Sequence, residues 1–173
     1  MGNSGKSFAS LLALIFIASI VILQPVTVNA DSKTITVPDD YPTIQQAVNL
    51  AQSGDAVYVK QGIYYETVVI DKPLTLKGIG YPIIDANHKG NAIIVNASNC
   101  IVDGFKVTNS LQSYSEGGIS VQRFSGGNNI IKNNIIYNNR VYGIYAVHTA
   151  HNSIINNTVF ENYLFGIECM MEK

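Results

Sequence analysis

The chain has 173 residues, 47% of them hydrophobic, with 11 basic against 12 acidic side chains and a formal net charge of −1. That length suffices for one domain with a real core. The near-balanced charge, with no basic cluster, gives no footprint for a phosphate-tracking partner, so no nucleic acid is expected. Two cysteines, Cys100 and Cys169, do not make a disulfide scaffold.

The first thirty residues are a different kind of sequence. One early positive charge at Lys6 precedes an apolar run from Phe8 to Leu23, and Val28-Asn29-Ala30 supplies small residues for cleavage. The apolar run, about 16 residues, falls short of the roughly 20 that a spanning helix needs. This pattern predicts a signal peptide over 1–30 and a folded domain over 31–173, secreted or at the cell surface. Membrane contact is then expected only through an uncleaved leader. Asn96-Ala97-Ser98 and Asn156-Asn157-Thr158 have the form of acceptors for N-linked glycans in an exported chain.

After the leader, Lys33 to Val37 alternates like a strand. Thr43-Ile44-Gln45-Gln46 reads as a capping box, and Ile44, Ala47, Val48 and Ala51 line one helical stripe. Gly54 supplies a left-handed stop to that helix, which is expected over Thr43 to Gln52. Ala56 to Val59, Thr67 to Ile70 and Leu74 to Lys77 read as short strands, separated by Gln61-Gly62, Pro73 and the glycines at 78 and 80.

From about residue 90 the chain repeats. Ala92-Ile93-Ile94-Val95, Gly118-Ile119-Ser120-Val121, Gly143-Ile144-Tyr145-Ala146 and Gly166-Ile167-Glu168-Cys169 recur at spacings of 26, 25 and 23 residues. A second unit, Ile131, Asn134, Ile136 and Asn139, recurs 23 residues on as Ile154, Asn157, Val159 and Asn162. A period of this size means a solenoid whose coils bury their apolar faces against one another. Ile and Val point inward, and asparagines take the corners, where the left-handed backbone is needed. Stacked asparagines can hydrogen-bond along the solenoid, as in cross-β ladders. The fold class is therefore all-β: a right-handed parallel β-helix with a short N-terminal capping helix. Cys169 aligns with Ala146 and Val121 and is expected inward, coils away from Cys100. The coil that opens at Gly166 has no capping element after it, so further coils or end-to-end self-association through the face from Gly143 to Met171 is expected.

VPDDYPTIQQAVNLAQSGDAVYVKQGIYYETVVIDKPLTLKGIG resembles the opening of β-helix proteins of the pectin-lyase-like superfamily, and the later Gly-Ile and Asn-Asn units resemble NosD-like repeats. The resemblance spans about Lys33 to Cys169. It implies the right-handed parallel β-helix, a scaffold that hosts lyases, hydrolases, esterases, adhesins and inert surface modules. Gly62-Ile63-Tyr64-Tyr65-Glu66 is similar to an early motif of pectin methylesterases. The later aspartate, glutamine and arginine motifs of that family find no match here. Asp85 and Asp103 are isolated, and the arginines Arg123 and Arg140 have no acidic partner strand.

Three functional classes stay open. A carbohydrate-binding or interaction scaffold would use the outward aromatics Tyr137, Tyr145 and Phe160, whose rings offer apolar platforms to polysaccharide or surface glycan. A polysaccharide-active enzyme would need carboxylates grouped within a coil, and Glu116, Glu161 and Glu168 fall on different ones. A copper-binding accessory role, implied by the NosD-like resemblance, would draw on His148 and His151 with Cys169, Met170 and Met171 nearby. The alternative for these histidines is a polar turn that binds nothing. The first class is the expected one, without catalytic residues, metal or cofactor.

Overall fold

The computed structural model describes residues 32–111, 116–122 and 127–170; the expected leader lies outside them. Residues 31–173 form a compact unit of their own. Strand β1 (Thr34–Val37) and helix α1 (Ile44–Leu50) precede five triplets of short strands. The first two triplets are β2 (Ala56–Val59), β3 (Ile63–Tyr65), β4 (Val68–Ile70) and β5 (Thr75–Gly78), β6 (Ile83–Asp85), β7 (Ile93–Val95). Next come β8 (Ile101–Asp103), β9 (Lys106–Thr108), β10 (Gly117–Val121) and β11 (Ile130–Lys132), β12 (Ile135–Tyr137), β13 (Tyr142–Val147). The last is β14 (Ser153–Ile155), β15 (Thr158–Phe160), β16 (Phe165–Met170).

Each member of a triplet joins a different parallel sheet. Sheet A runs β1-β2-β5-β8-β11-β14, sheet B β3-β6-β9-β12-β15 and sheet C β4-β7-β10-β13-β16. This is a right-handed parallel β-helix, with the handedness that parallel crossovers favour. The register stacks like on like. Leu76, Val102, Ile131 and Ile154 are in line in sheet A, and Ile93, Ile119, Ile144 and Ile167 in sheet C. Each coil therefore covers the apolar residues of the one before, and Ile131, Ile136 and Ile144 are fully buried.

The paired asparagines divide the work at each corner. The first of each pair takes the left-handed backbone: Asn128, Asn133 and Asn138 have φ of 57, 55 and 52°. The second turns inward, and Asn129, Asn134 and Asn139 are buried. Its side chain replaces the strand partner that a corner cannot supply. Asn129 Oδ1 accepts from the Cys100 N–H at 2.9 Å, Asn134 Oδ1 from Phe105 at 3.0 Å and Asn139 Oδ1 from Ser110 at 3.2 Å. One coil on, Asn152, Asn157 and Asn162 accept from the N–H groups of Asn129, Asn134 and Asn139 in the same way. Buried backbone groups need partners, and here the side-chain amide of the next coil is the partner. The ladder expected from sequence is present, but most of its rungs run from side chain to backbone.

At the N-terminal end, α1 sits where a preceding coil would pair with β4. Gln45 imitates a strand, its Oε1 accepting from the Val69 N–H and its Nε2 donating to the Val69 carbonyl. Thr43 Oγ1 accepts from the Gln46 N–H, and the Glu66 carboxylate accepts from the N–H groups of Ile44 and Gln45. An anion at that position also favours the helix N-terminus. Lys72 Nζ donates to the Val48 and Asn49 carbonyls at the other end. The helix, Ile44–Leu50, is three residues shorter than the expected span from Thr43 to Gln52. Asp55 closes the junction, and hydrogen bonds from the N–H groups of Gln52 and Lys33 hold its carboxyl below the usual carboxylate range.

Both cysteines are free. Cys100 is buried at the corner before β8, while Cys169 stands in β16, paired with Ala146 as expected but exposed. Burial pushes the Cys100 thiol up, and burial followed by the Glu168 carboxylate does the same for Cys169. The two lie in different coils and at different positions around them, beyond the Cα separation of about 7 Å that a disulfide tolerates. Thiol titration of denatured, unreduced protein should therefore find two free groups per chain. Finding none in a monomer would mean that this register is wrong.

Candidate glycan-contact faces

Strands β12 and β15 align Tyr137 with Phe160, one coil apart on the outer face of sheet B. Their inward neighbours Ile136 and Val159 sit against the core, so period-2 alternation sends both rings out. The rings stack at 5.5 Å between centroids and 8° between planes. Each therefore covers a face of the other, and a sugar cannot enter between them. The surfaces left for it are the ring edges and the outer face of Phe160, which is 44% exposed. Asn138 and Glu161 stand exposed at the adjoining left-handed corners and can hydrogen-bond hydroxyl groups beside the rings. Further along the same outward line come Asp85 and the exposed Tyr65.

Tyr145 belongs elsewhere. It lies on the outer face of sheet C, in line with Ser120 and Glu168. Its ring stacks on Tyr142 at 4.6 Å, and Tyr142 stacks in turn on Phe165 of the next coil at 5.7 Å. Burial, then the neighbouring Tyr142 and Glu168, push the Tyr145 phenol above its ordinary value. The structure thus joins Tyr137 to Phe160 and separates both from Tyr145. Sequence reasoning missed Tyr142 and Phe165. Their own alignment 23 residues apart, immediately before Gly143 and Gly166, is the signal that could have found them.

Asp85 and Asp103 have structural partners, whereas Glu116 Oε2 is buried with no hydrogen-bond partner among the described residues. Asp85 accepts from the Asn87 N–H and from Asn109 Nδ2. Asp103 accepts from Asn133 Nδ2 and faces Lys132 Nζ at 3.7 Å. Glu66, the acidic end of the esterase-like motif, caps α1. Arg140 is exposed, while Arg123 lies outside the described residues.

His151 lines a cavity of about 260 Å³ together with Cys169, Met170, Asn152, Thr149 and Ile154. His148, whose N–H donates to the Met170 carbonyl at 2.8 Å, is not among its lining residues. Both histidines adopt left-handed corners, with φ of 51 and 58°. Among the described residues no three His, Cys, Asp or Glu side chains converge.

A solenoid of three parallel sheets, its corners held by inward asparagines, defines a class. The family model for the right handed beta helix region matches residues 43–173, and the chain belongs to that family. Over 144 residues the chain is 27% identical to a protein of Methanothermus fervidus named cell surface glycoprotein. That alignment covers 80% of this chain and 23% of the relative, so the chain spans about a quarter of that protein's length. No solved structure matches the chain significantly.

Proposed function

We propose that this chain is a β-helix module of an exported cell-surface protein, a non-catalytic scaffold that contacts glycans through the outer face of sheet B. The observation that carries the reading is the Tyr137–Phe160 stack, with the outer Phe160 face exposed and polar corner groups beside it. The signal-like leader and the surface protein of Methanothermus fervidus support the location. The competing reading is a polysaccharide-active enzyme. It finds little support, because Asp85, Asp103 and Glu66 are engaged in holding corners and the helix rather than facing one another across a groove.

Affinity electrophoresis in gels containing acidic and neutral polysaccharides tests the proposal. At least one polysaccharide should retard the protein, and Phe160→Ala should weaken that binding about tenfold, the equivalent of one good ring contact. Tyr145→Ala, on a different sheet, should leave it unchanged. The same polysaccharides should show no depolymerisation after incubation. Equal retardation of wild type and a Tyr137→Ala, Phe160→Ala double variant would place the contact elsewhere, and release of oligosaccharides would favour the enzyme.

A further inference from the structure

We infer that Asn96 carries an N-linked glycan. The asparagines of the described residues have recognisable structural work, with this one exception. Asn87, Asn99, Asn109, Asn128, Asn133, Asn138 and Asn156 hold left-handed corners. The inward asparagines satisfy backbone groups of the coil before them, Asn91 Oδ1 accepts from the Gly117 N–H, and Asn49 Oδ1 accepts from Gln45 Nε2. Asn96 does neither. Its φ is not left-handed, its side chain makes no hydrogen bond among the described residues, and the residue is exposed just after β7. Only its backbone is used, the N–H donating to the Ile70 carbonyl at 2.8 Å.

The fold does not ask for asparagine there. The register that aligns Ile70, Val95 and Val121 puts Asp71 and Gln122 at the equivalent places in the coils on either side. Any polar side chain serves. What Asn96 has and its equivalents lack is Ser98 two residues on, in the bend of residues 97–99 that carries the chain from sheet C to sheet A. That is the acceptor sequence displayed on an exposed turn, with a free amide at its head.

The second acceptor-like sequence has a different origin. Asn156 holds a corner at φ 52°, and Asn157 is a rung of the ladder, its Oδ1 accepting from Asn134. The same pair occurs one coil earlier as Asn133-Asn134, followed by Ile135. Asn156-Asn157-Thr158 is thus the repeat's own Asn-Asn corner with a threonine after it. The left-handed corner accounts for asparagine at 156 without any sugar, whereas nothing in the fold accounts for it at 96, and the glycan is therefore assigned to Asn96.

The modification is a transfer from a phosphate-linked, lipid-borne oligosaccharide. A bond forms between Asn96 Nδ2 and the anomeric carbon of the first sugar, the bond from that carbon to the phosphate oxygen breaks, and the amide gives up one proton as the lipid phosphate leaves. This inference rests on the surface location proposed above.

The test is peptide mass spectrometry of the full-length protein purified from the cells that encode it, after separating surface and cytoplasmic fractions. The peptide containing Asn96 should carry mass increments of whole sugar residues. Ser98→Ala, which removes the required hydroxyl and leaves the amide, should abolish them without changing the melting temperature, and Asn156→Gln should leave them in place. Surface-located protein with a bare Asn96, or with sugar at Asn156 instead, would overturn the assignment while leaving the surface reading intact. Protein confined to the cytoplasm would overturn both.

Discussion

Alanine at position 143 should destabilise the protein by about 3 kcal/mol, while alanine at 166 should change stability by less than about 1 kcal/mol in either direction. The glycine of the repeated Gly-Ile unit invites an explanation from backbone freedom, but neither Gly143 nor Gly166 has a positive φ. The reason is space. A Cβ on Gly143 would stand 2.5 Å from the Gly166 carbonyl oxygen, 2.6 Å from Val159 Cγ1 and 2.8 Å from Asn162 Nδ2. Gly118, one coil earlier, meets the same pair of neighbours, Asn139 Nδ2 at 2.7 Å and Ile136 Cγ2 at 2.9 Å. The inward asparagine and the inward aliphatic residue of the second unit lean onto the glycine of the Gly-Ile unit, so the two repeats are one packing motif. At Gly166 an added Cβ would meet only Val159 Cγ1, at 3.5 Å, which is ordinary contact. The measurement is the urea midpoint of each variant at unchanged m-value. Similar losses at both positions would show that the strand backbone, not the crowding at 143, sets the requirement.

The repeat that gave away the fold was legible because like residues recur at a nearly fixed period. Stacking of like on like, such as Ile119 on Ile93 and Ile144 on Ile119, needs nothing else. The early coils were harder to read. Strands β3 and β6 went unassigned, because Ile63-Tyr64-Tyr65 and Ile83-Ile84-Asp85 are only three residues long and lie near turn residues such as Gly62 and Pro82. Three-residue strands carry too few alternations to show a period. At the corners the sequence reading treated every asparagine alike. Alignment with the previous coil separates them, since Asn129, Asn134 and Asn139 stand one coil beyond Cys100, Phe105 and Ser110, all of them buried. A polar residue aligned with a buried phenylalanine has to be inside.

The candidate site was less legible for a physical reason. Which side chains point out can be read from alternation, and the outward rings Tyr137, Tyr145 and Phe160 are placed as their neighbours imply. Which of the three sheets carries an outward residue depends on where each corner falls, and that requires the coil geometry. Hence Tyr145, eight residues from Tyr137, ends on another face, with Tyr142 and Phe165 as its companions. The spacing of the histidines suits a metal, and both also occupy left-handed corners, where histidine is tolerated alongside asparagine.

The inward asparagines should dominate stability in proportion to their depth. Asn134 makes four hydrogen bonds through its backbone N–H and side chain to its neighbours above and below. Its Oδ1 accepts from the Phe105 N–H at 3.0 Å, its Nδ2 donates to the Val102 carbonyl at 3.1 Å and to Asn157 Oδ1 at 3.0 Å, and its N–H donates to that same Oδ1 at 2.9 Å. Asn134→Ala removes the three side-chain bonds at a fully buried position. The Phe105 N–H is then left buried with no acceptor, at about 1–3 kcal/mol, and a cavity adds to the loss, so about 3–5 kcal/mol in total is expected. Asn157→Ala, one coil on and half-buried, should cost about 1–2 kcal/mol, because water can reach the groups it abandons. Asn134→Asp separates shape from hydrogen bonding. It keeps an acceptor for Phe105 and nearly the same volume, but turns an oxygen toward the Val102 carbonyl and Asn157 Oδ1 in place of the donor. It should therefore be at least as unstable as the alanine variant at neutral pH. Chemical denaturation of the three variants decides the matter. If Asn134→Asp were close to wild type, the amide donor would be dispensable and packing alone would explain the ladder; if Asn134→Ala and Asn157→Ala lost equal stability, burial along the solenoid would not set the strength of the rungs.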